Sequence, residues 1–178
     1  MMHPDMELRF VNTIIGYGVF ATLPIPRGTL TWVRDSLDQV ITDPALLAMP
    51  EPLRSTVQKY PFRNHHGENL LLWDIGRYVN HSCVPTCIGI DVDYDVAVRD
   101  IRAGEEITND YATFYLREDE EFQCYCGSVG CRRIIGPGDA AMMSLAWRLL
   151  FERAQAQIHF VNRQPLYPLY TTLFAGTR

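Results

Sequence analysis

The sequence predicts a mainly β domain with helical insertions, an α+β fold of small sheets that is followed by a C-terminal helix. Three observations lead to this fold class. Short apolar runs separated by Gly and Pro turns dominate the chain up to about residue 135. From Gly138 onwards the apolar residues have helical spacing instead. The 178 residues suit one domain, and a hydrophobic content of 47% is enough for a proper core.

The N-terminal third is predicted to contain short strands and one helical insertion. "MELRFVN" is typical of a strand that runs into the turn "GYG", and the apolar segment "VFA" follows at once. "PIPRG" predicts a turn and "TLTWV" another strand. The helical pattern of "DPALLAMPEPLRSTVQKY" is interrupted by Pro50 and Pro52, and Asp43 is placed to cap its first turn. We therefore expect a helical insertion at about residues 43–60.

The middle of the chain predicts further strands. "NLLLWD" is apolar enough for a buried strand. Ile88, Ile90 and Val92 alternate with smaller or polar residues, as do Val96 and Val98. The turn between these two runs predicts a hairpin.

Residues 136–178 are predicted to form a helix and a tail that pack on the preceding domain. Asp139 is placed to cap a helix, and its apolar stripe consists of Met142, Met143, Ala146, Leu149 and Leu150. The tail "QPLYPLYTTLFAGTR" is apolar for a terminus, so it too is expected to lie on protein. The alternative is that the helix or the tail forms a homodimer contact.

Composition limits the partners and the compartment. The net charge is −5, from 21 acidic and 16 basic residues, which disfavours direct binding of nucleic acid and favours a cationic partner. No stretch approaches the 18 or so apolar residues that a membrane span needs, and the start of the chain has no secretion signal. The sequence thus predicts a cytoplasmic protein without membrane contact.

Three cysteines, Cys124, Cys126 and Cys131, lie close together in "FQCYCGSVGC". An odd total of five cysteines without a secretion signal favours metal ligands and free thiols over disulfides. Zinc takes four ligands, so this motif needs a fourth from elsewhere. An isolated zinc knuckle that uses His65 or His66 is one alternative, and three free thiols are another.

Four segments taken together, "GYGVFA", "GRYVNHSC", "RDIRAGEEITNDY" and "CYCGSVGC", resemble the ordered signatures of the SET-domain protein lysine methyltransferase family with its C-terminal post-SET cysteine segment. The resemblance spans about residues 10–133. It implies a SET fold over residues 1–135, in which the NHSC segment and the later strand region form a pseudoknot, an exception to ordinary chain topology.

The resemblance also implies a function and its site. Members of the family transfer a methyl group from S-adenosylmethionine to the side-chain amine of a lysine in a protein or peptide. Tyr111 matches the catalytic tyrosine, whose hydroxyl would orient the amine. Glycines in "GYG" let backbone approach the cofactor closely because they carry no Cβ. The cofactor-binding residues carried over to this chain are Gly16, Tyr17, Gly18, Tyr78, Asn80, His81, Tyr111 and Phe122.

The resemblance also proposes the missing zinc ligand. The family closes its metal site with the cysteine of NHSC, which is Cys83 here, so that four thiolates bind a structural zinc: Cys83, Cys124, Cys126 and Cys131. Cys87 is left over and is assigned to a strand interior as a small hydrophobe.

The chain departs from the family in one position near the catalytic tyrosine. The residue two before it, usually Phe or Tyr, is Asn109. The rival interpretation of the whole chain is a catalytically silent SET domain that binds a lysine-bearing partner. The acidic run Glu118–Glu121 has two interpretations, a solvated loop or a segment that attracts a basic substrate.

Overall fold

A computed structural model describes residues 1–174. In this range twelve short strands follow one another as β1 (Met6–Asn12), β2 (Gly16–Ala21), β3 (Leu30–Val33), β4 (Gln39–Val40), β5 (Phe62–Arg63), β6 (Asn69–Leu71), β7 (Asn80–His81), β8 (Cys87–Ile88), β9 (Tyr94–Ala97), β10 (Glu106–Asn109), β11 (Phe122–Gln123) and β12 (Ile134–Ile135). The α-helices are α1 (Asp43–Ala48), α2 (Leu53–Val57), α3 (Gly138–Gln155) and α4 (Tyr167–Thr172). Three 3₁₀ turns, Ile75–Tyr78, Tyr111–Thr113 and Ile158–Phe160, complete the elements of the described residues.

The strands assemble into small sheets, as the fold class predicts. One sheet has the order β1-β2-β10-β7, a second β3-β9-β8 and a third β4-β6-β5, while β11 and β12 form a separate pair. The β8–β9 pair is the predicted hairpin, in which Ile88 lies opposite Val96. The mainly β fold class with helical insertions is confirmed.

The pairing of β7 with β10 differs from the antiparallel pairs because these two strands are parallel. Asn80 lies opposite Thr108, and His81 lies opposite Asn109. The NHSC segment therefore lies directly beside the strand that leads to Tyr111. These are the two segments of the chain that the predicted pseudoknot joins.

The helical insertion consists of α1 and α2, which are separated at the two prolines. Its cap differs from the prediction, since the side chain of Thr42 accepts the N–H of Ala45, and Asp43 is already the first helical residue. The Asp43 carboxylate instead accepts hydrogen bonds from Asn69 and Arg117. A threonine directly before a helix caps it equally well, and the sequence pattern alone did not distinguish the two residues.

Helix α3 buries a different face from the predicted stripe. Trp147, Phe151 and Ala154 lie in the same core cluster as strands β3 and β9, whereas Met142 is 71% exposed. In the stripe only Met143 packs against the core, so the prediction of this face was wrong. Large aromatic side chains bury more apolar area than methionine or leucine, which explains why their face packs inward.

Asp139 also differs from its predicted role. The helix begins at Gly138 after Pro137, so that Asp139 lies inside the first turn. Its carboxylate is buried, accepts the N–H of Gly136 and pairs with Arg132. An acid in the first turn stabilises a helix N-terminus without acting as the cap.

The tail continues the packing of α3. Leu166 is buried in the core cluster, and Tyr170 of α4 packs against it. Residues 175–178 of the predicted tail lie outside the described residues. The division of the chain at residue 135 and the homodimer contact remain proposals. None of the helices in residues 1–174 combines the length and the apolar character that crossing a bilayer requires.

We expect Phe151→Ala to lower the free energy of unfolding by about 3–5 kcal/mol, since it leaves a cavity in the core. The matched control on the same helix is Leu145→Ala, whose side chain is 70% exposed, and which we expect to change stability by less than about 0.5 kcal/mol. Urea denaturation measures both. Equal losses would contradict this packing, and a loss for Leu145→Ala that grows with protein concentration would reveal a homodimer contact.

Candidate active site

Tyr111 lies at the end of β10, where a 3₁₀ turn capped by Asp110 begins. Its hydroxyl donates to the carbonyl oxygen of Val79 at 2.7 Å. Its backbone N–H donates to Nδ1 of His81 at 3.1 Å. Burial raises the pKa of Tyr111, so its hydroxyl stays protonated at neutral pH. The side chain is thereby held in one orientation, and its oxygen can still accept a further hydrogen bond.

Asp110 joins Tyr111 to distant parts of the chain. Its carboxylate accepts hydrogen bonds from the Arg132 guanidinium at 2.6 and 2.7 Å. It also accepts one from the indole N–H of Trp147 at 3.1 Å. Burial raises the pKa of Asp110, although Arg132 opposes this shift. Burial and then the nearby Arg132 lower the pKa of His81 to about 4. His81 is therefore neutral, as it must be for Nδ1 to accept the N–H of Tyr111.

The "GYG" segment lies against Asn80. The side-chain amide of Asn80 donates to the backbone oxygen of Tyr17 at 3.0 Å and to Glu106 at 2.8 Å. A Cβ at Gly18 would stand 2.4 Å from the Glu106 carboxylate and 2.9 Å from the Asn80 amide, so a larger residue would displace this hydrogen-bonded pair. Gly16 has a φ of +86°, a conformation that favours glycine.

Tyr17 and Tyr78 form an aromatic surface beside this segment. Their ring centroids are 6.1 Å apart, and Tyr60 lies 5.4 Å beyond Tyr78. The ring of His81 in turn contacts Phe122 at 5.3 Å. The eight residues predicted to bind the cofactor therefore occupy adjoining strands and turns.

A cavity of about 550 Å³ opens next to Tyr111. Among the predicted site residues, it is lined by Tyr111 and Phe122. The other six cofactor candidates, all of them described, are not part of its lining: Gly16, Tyr17, Gly18, Tyr78, Asn80 and His81. Aromatic rings make up much of the wall, with Phe62 and Phe114 only 4.7 Å apart. The cavity is thus a separate space that meets the cofactor candidates at Tyr111.

The cavity wall contains polar residues to which sequence reasoning gave no role, chiefly Asp95. Asp95 accepts the side-chain N–H of Asn109 at 3.1 Å, and burial raises the pKa of Asp95 to about 7. Alternation in β9 puts Asp95 on the opposite face from Val96, and sequence reasoning gave that face no role. The available signal was an acid in the middle of an otherwise apolar strand.

The acidic run also contributes to this space. Three of its four residues, Asp119, Glu120 and Glu121, line the cavity. Lys59, Arg63 and Arg77 line it as well, so its charged residues have both signs.

The four cysteines predicted to bind zinc come together. The sulfur atoms of Cys83, Cys124, Cys126 and Cys131 all lie within 4.8 Å of one another. The turn between β11 and β12 supplies three of them, and the backbone N–H of Arg132 contacts the Cys83 sulfur at 3.4 Å. Four mutually close thiols suit the tetrahedral shell of a structural zinc.

The competing ligands lie elsewhere. His65 and His66 form a different group with Asp93, which gives no support to a zinc knuckle built on either histidine. Cys87 is fully buried in β8, and its thiol donates to the backbone oxygen of Thr108 at 3.3 Å. Burial raises the pKa of Cys87, so this thiol behaves as the expected small hydrophobe.

Comparison with known proteins covers the first three motif segments by a family model that ends before the cysteine-rich segment. The model of the SET domain matches residues 16–112, more than half of the chain. Human histone-lysine N-methyltransferase 2D is 36% identical over 64 residues, which cover 32% of this chain and 1% of that protein. Histone-lysine N-methyltransferase ATX2 of Arabidopsis thaliana is 28% identical over 167 residues, covering 82% of this chain and 13% of that protein.

The crystal structure of KRYPTONITE in complex with mCHG DNA and SAH has a similar fold, with a TM-score of 0.50 and 22% identity. The similar part covers 72% of this chain and 28% of that one. The fold is thus that of the SET-type methyltransferases. The chain belongs to the SET domain family. It spans at most 13% of the length of the two curated relatives described above.

Cys83→Ser should reduce bound zinc from about one ion per chain to almost none, because a hydroxyl is a much poorer ligand than a thiolate. Cys87→Ser is the matched control and should keep its zinc, since its side chain lies outside the cluster. Metal analysis of both purified variants measures this. Full zinc in Cys83→Ser, or loss in Cys87→Ser alone, would show that the site has another fourth ligand.

Asp95 should make stability depend on pH. Its folded pKa is raised from 3.8 to about 7, so the stabilising protonated form is fully present below about pH 4 and is lost as the pH rises through 7. Asp95→Asn removes this loss. At pH 8 the variant should exceed the wild type by roughly 2–4 kcal/mol in the free energy of unfolding, and below pH 4 the two should be nearly equal. A difference that does not vary with pH would contradict the raised pKa.

Proposed function

We propose that this chain transfers a methyl group from S-adenosylmethionine to the side-chain amine of a lysine in a protein substrate. The observation that carries this proposal is the half-buried Tyr111, whose hydroxyl is fixed on the Val79 carbonyl at the wall of the 550 Å³ cavity. The family match and the lysine methyltransferases among the relatives support the class of reaction. The SAH bound to a similar fold supports the choice of cofactor.

The residues around β2 and β7 fit such a cofactor. Gly18 brings backbone close to Asn80, while the nearly perpendicular rings of His81 and Phe122 offer aromatic contacts for the adenine. When bound, the cofactor supplies a methyl group made electrophilic by a sulfonium. These residues would position it at the edge of the cavity, where Tyr111 lies between the predicted cofactor residues and the cavity lining.

The cavity would receive the lysine side chain. A free lysine amine has a pKa of about 10.4, so at pH 7 the neutral nucleophile costs roughly 4–5 kcal/mol to form. Aromatic walls such as Phe62 and Phe114 disfavour the charged ammonium and thereby reduce this cost. The Tyr111 oxygen can accept an N–H of the amine and orient its lone pair toward the methyl group.

Zinc would act as a structural ion. It would tie Cys83, next to β7, to the three cysteines that follow β11. Because β11 carries Phe122, the metal would hold one wall of the site in place. Methyl transfer itself needs no redox or Lewis-acid step at this position, and four thiolates would fill the coordination shell of the zinc.

The partner would be a lysine-bearing protein or peptide, drawn in part by the acidic residues Asp119, Glu120 and Glu121. A cytoplasmic location and the absence of direct nucleic-acid binding remain expectations from composition. The alternative function, a silent SET domain that only binds its partner, shares this cavity and differs in catalysis alone.

Tyr111→Phe tests the proposal directly. Removing one hydroxyl should lower turnover by roughly a hundredfold through loss of alignment, while cofactor affinity stays near normal. Turnover is measured with radiolabelled S-adenosylmethionine and a peptide library. Cofactor affinity is measured by calorimetry. The matched control is Tyr125→Phe, which removes an exposed hydroxyl outside the cavity and should keep wild-type turnover.

Two outcomes would count against the proposal. Cofactor binding by the wild type without any labelled protein or peptide would favour the silent binding module. Label on arginine would contradict lysine specificity, and because Lys59 is the only lysine of this chain, self-labelling is easily mapped.

A further inference from the structure

Asp95 is a half-buried carboxylate without a compensating charge. Within residues 1–174 no arginine, lysine or histidine forms an ion pair with it, and Asn109 donates its hydrogen bond. An isolated buried carboxylate is costly for stability. Proteins retain such groups mainly at functional sites. The position of Asp95 in the wall of the cavity indicates which function it serves.

The neighbouring strand places an unused donor on the same face. Trp32 lies directly opposite Asp95 in the antiparallel β3–β9 pair, so both side chains point to one side of the sheet. Trp32 is only 4% exposed, and its indole N–H has no hydrogen-bond partner among the described residues. Both residues line the cavity. An unpaired buried donor and a half-buried carboxylate on the same face of the sheet indicate a polar ligand group at this depth.

Two further residues shape the space around the carboxylate. A Cβ at Gly89 would lie 2.4 Å from Oδ1 of Asp95, so the glycine leaves room for this oxygen. The side-chain oxygen of Asn109 accepts the N–H of Asp110 at 2.8 Å, which turns its NH₂ group toward Oδ2 of Asp95. One oxygen is therefore fixed by Asn109, at the position where the family usually has Phe or Tyr.

We propose that Asp95 binds the ammonium group of the substrate lysine and accepts its proton before methyl transfer. This inference rests on the proposed function. One N–H bond of the ammonium breaks, its electron pair stays on nitrogen, and the proton moves to a carboxylate oxygen of Asp95. The nitrogen then uses that pair to form the bond to the methyl carbon, while the electron pair of the breaking C–S bond stays on sulfur. Asp95 returns its proton to water when the product leaves.

The surroundings of Asp95 suit this transfer. An ordinary aspartate and a lysine amine differ by more than six pKa units, and burial reduces this gap because it raises the pKa of Asp95 to about 7. The Cys87 thiol of the neighbouring strand β8 and the Tyr111 hydroxyl in the cavity wall are both kept neutral by burial. On the α3 side, Tyr94 is hydrogen-bonded to Gln155. The other charged residues of the cavity lining are Lys59, Arg63, Arg77, Asp91, Asp119, Glu120 and Glu121.

Binding of n-butylammonium chloride without cofactor tests the cation site separately from catalysis. The readout is the NMR signal of the Trp32 indole N–H, assigned among the three tryptophans of the chain by single Trp→Phe variants. The affinity of the wild type should rise about tenfold between pH 5.5 and pH 8, as Asp95 ionises. The neutral analogue n-butanol should show no such rise.

Variants separate Asp95 from the general charge of the cavity. Asp95→Asn should abolish the rise with pH. Asn109→Ala removes the hydrogen bond that lowers the pKa of Asp95, so the rise in n-butylammonium affinity should move to higher pH. The matched control is Asp91→Asn, since Asp91 is an exposed acid of the same cavity at a φ of 55°, which asparagine tolerates. It should retain the wild-type rise, and an unchanged rise in Asp95→Asn would overturn the proposal.

The pH profile of methyl transfer completes the test. Asp95→Asn should lower the rate at pH 7 by roughly a hundredfold, and the rate should recover at high pH, where solvent removes the proton. A wild-type profile in this variant would overturn the role of Asp95 and leave the proposed function intact. Cation binding that depends on Asp95 in a protein without methyl transfer would instead reject the proposed function and the proton transfer that rests on it.

Discussion

The buried ion pair between Asp110 and Arg132 is the interaction on which the rest of the site depends. Asp110 is fully buried, and its carboxylate is held by the Arg132 guanidinium and by the indole of Trp147. A charge in this position is tolerated only with its partners, because loss of one partner leaves an uncompensated buried charge. The end of β10, the cysteine-rich segment and helix α3 must therefore come together for the fold to form.

This constraint explains how a short 3₁₀ turn can position a reactive side chain. Asp110 caps the turn that begins at Tyr111, so fixing its carboxylate also fixes the tyrosine backbone. Arg132 also helps to keep His81 neutral, and neutral His81 accepts the N–H of Tyr111. The hydroxyl then reaches the Val79 carbonyl. The residues predicted to bind the cofactor and the cavity thus meet at one tyrosine whose orientation is determined from three sides.

The cavity wall contains polar residues that lower the stability of the fold. Leucine or phenylalanine in place of Asp95 and Asn109 would make a more stable apolar wall, in keeping with the general cost of buried polar groups. The structure instead has a carboxylate, its amide partner and a tryptophan with an unpaired indole N–H in the wall of one cavity. Enzymes commonly accept such local costs where they handle protons. Asn109 thus belongs to a polar pair, which accounts for its departure from the aromatic residue usual in the family.

Sequence alone determined the strand-rich fold class and the order of its main elements, and it predicted which residues would bear chemistry. Alternating apolar residues, Gly and Pro turns and four ordered motifs are local signals, and each can be read without knowing what lies opposite. The hairpin around Ile88 and Val96 is an example, and so is the family to which residues 16–112 belong. The grouping of Cys83 with Cys124 came from the resemblance to that family, since their spacing in sequence carries no such information.

Only the tertiary structure decided which side of each element faces what. Periodicity shows that Asp95 and Val96 lie on opposite faces of β9, but it does not show whether the face of Asp95 meets solvent or a cavity. The same limit applies to α3, where the core selected Trp147 and Phe151 over the predicted stripe. It applies as well to Arg132, whose partner Asp110 is 22 residues away in sequence. Contacts between distant segments depend on how the chain closes in three dimensions, and this closure leaves no periodic trace in the sequence.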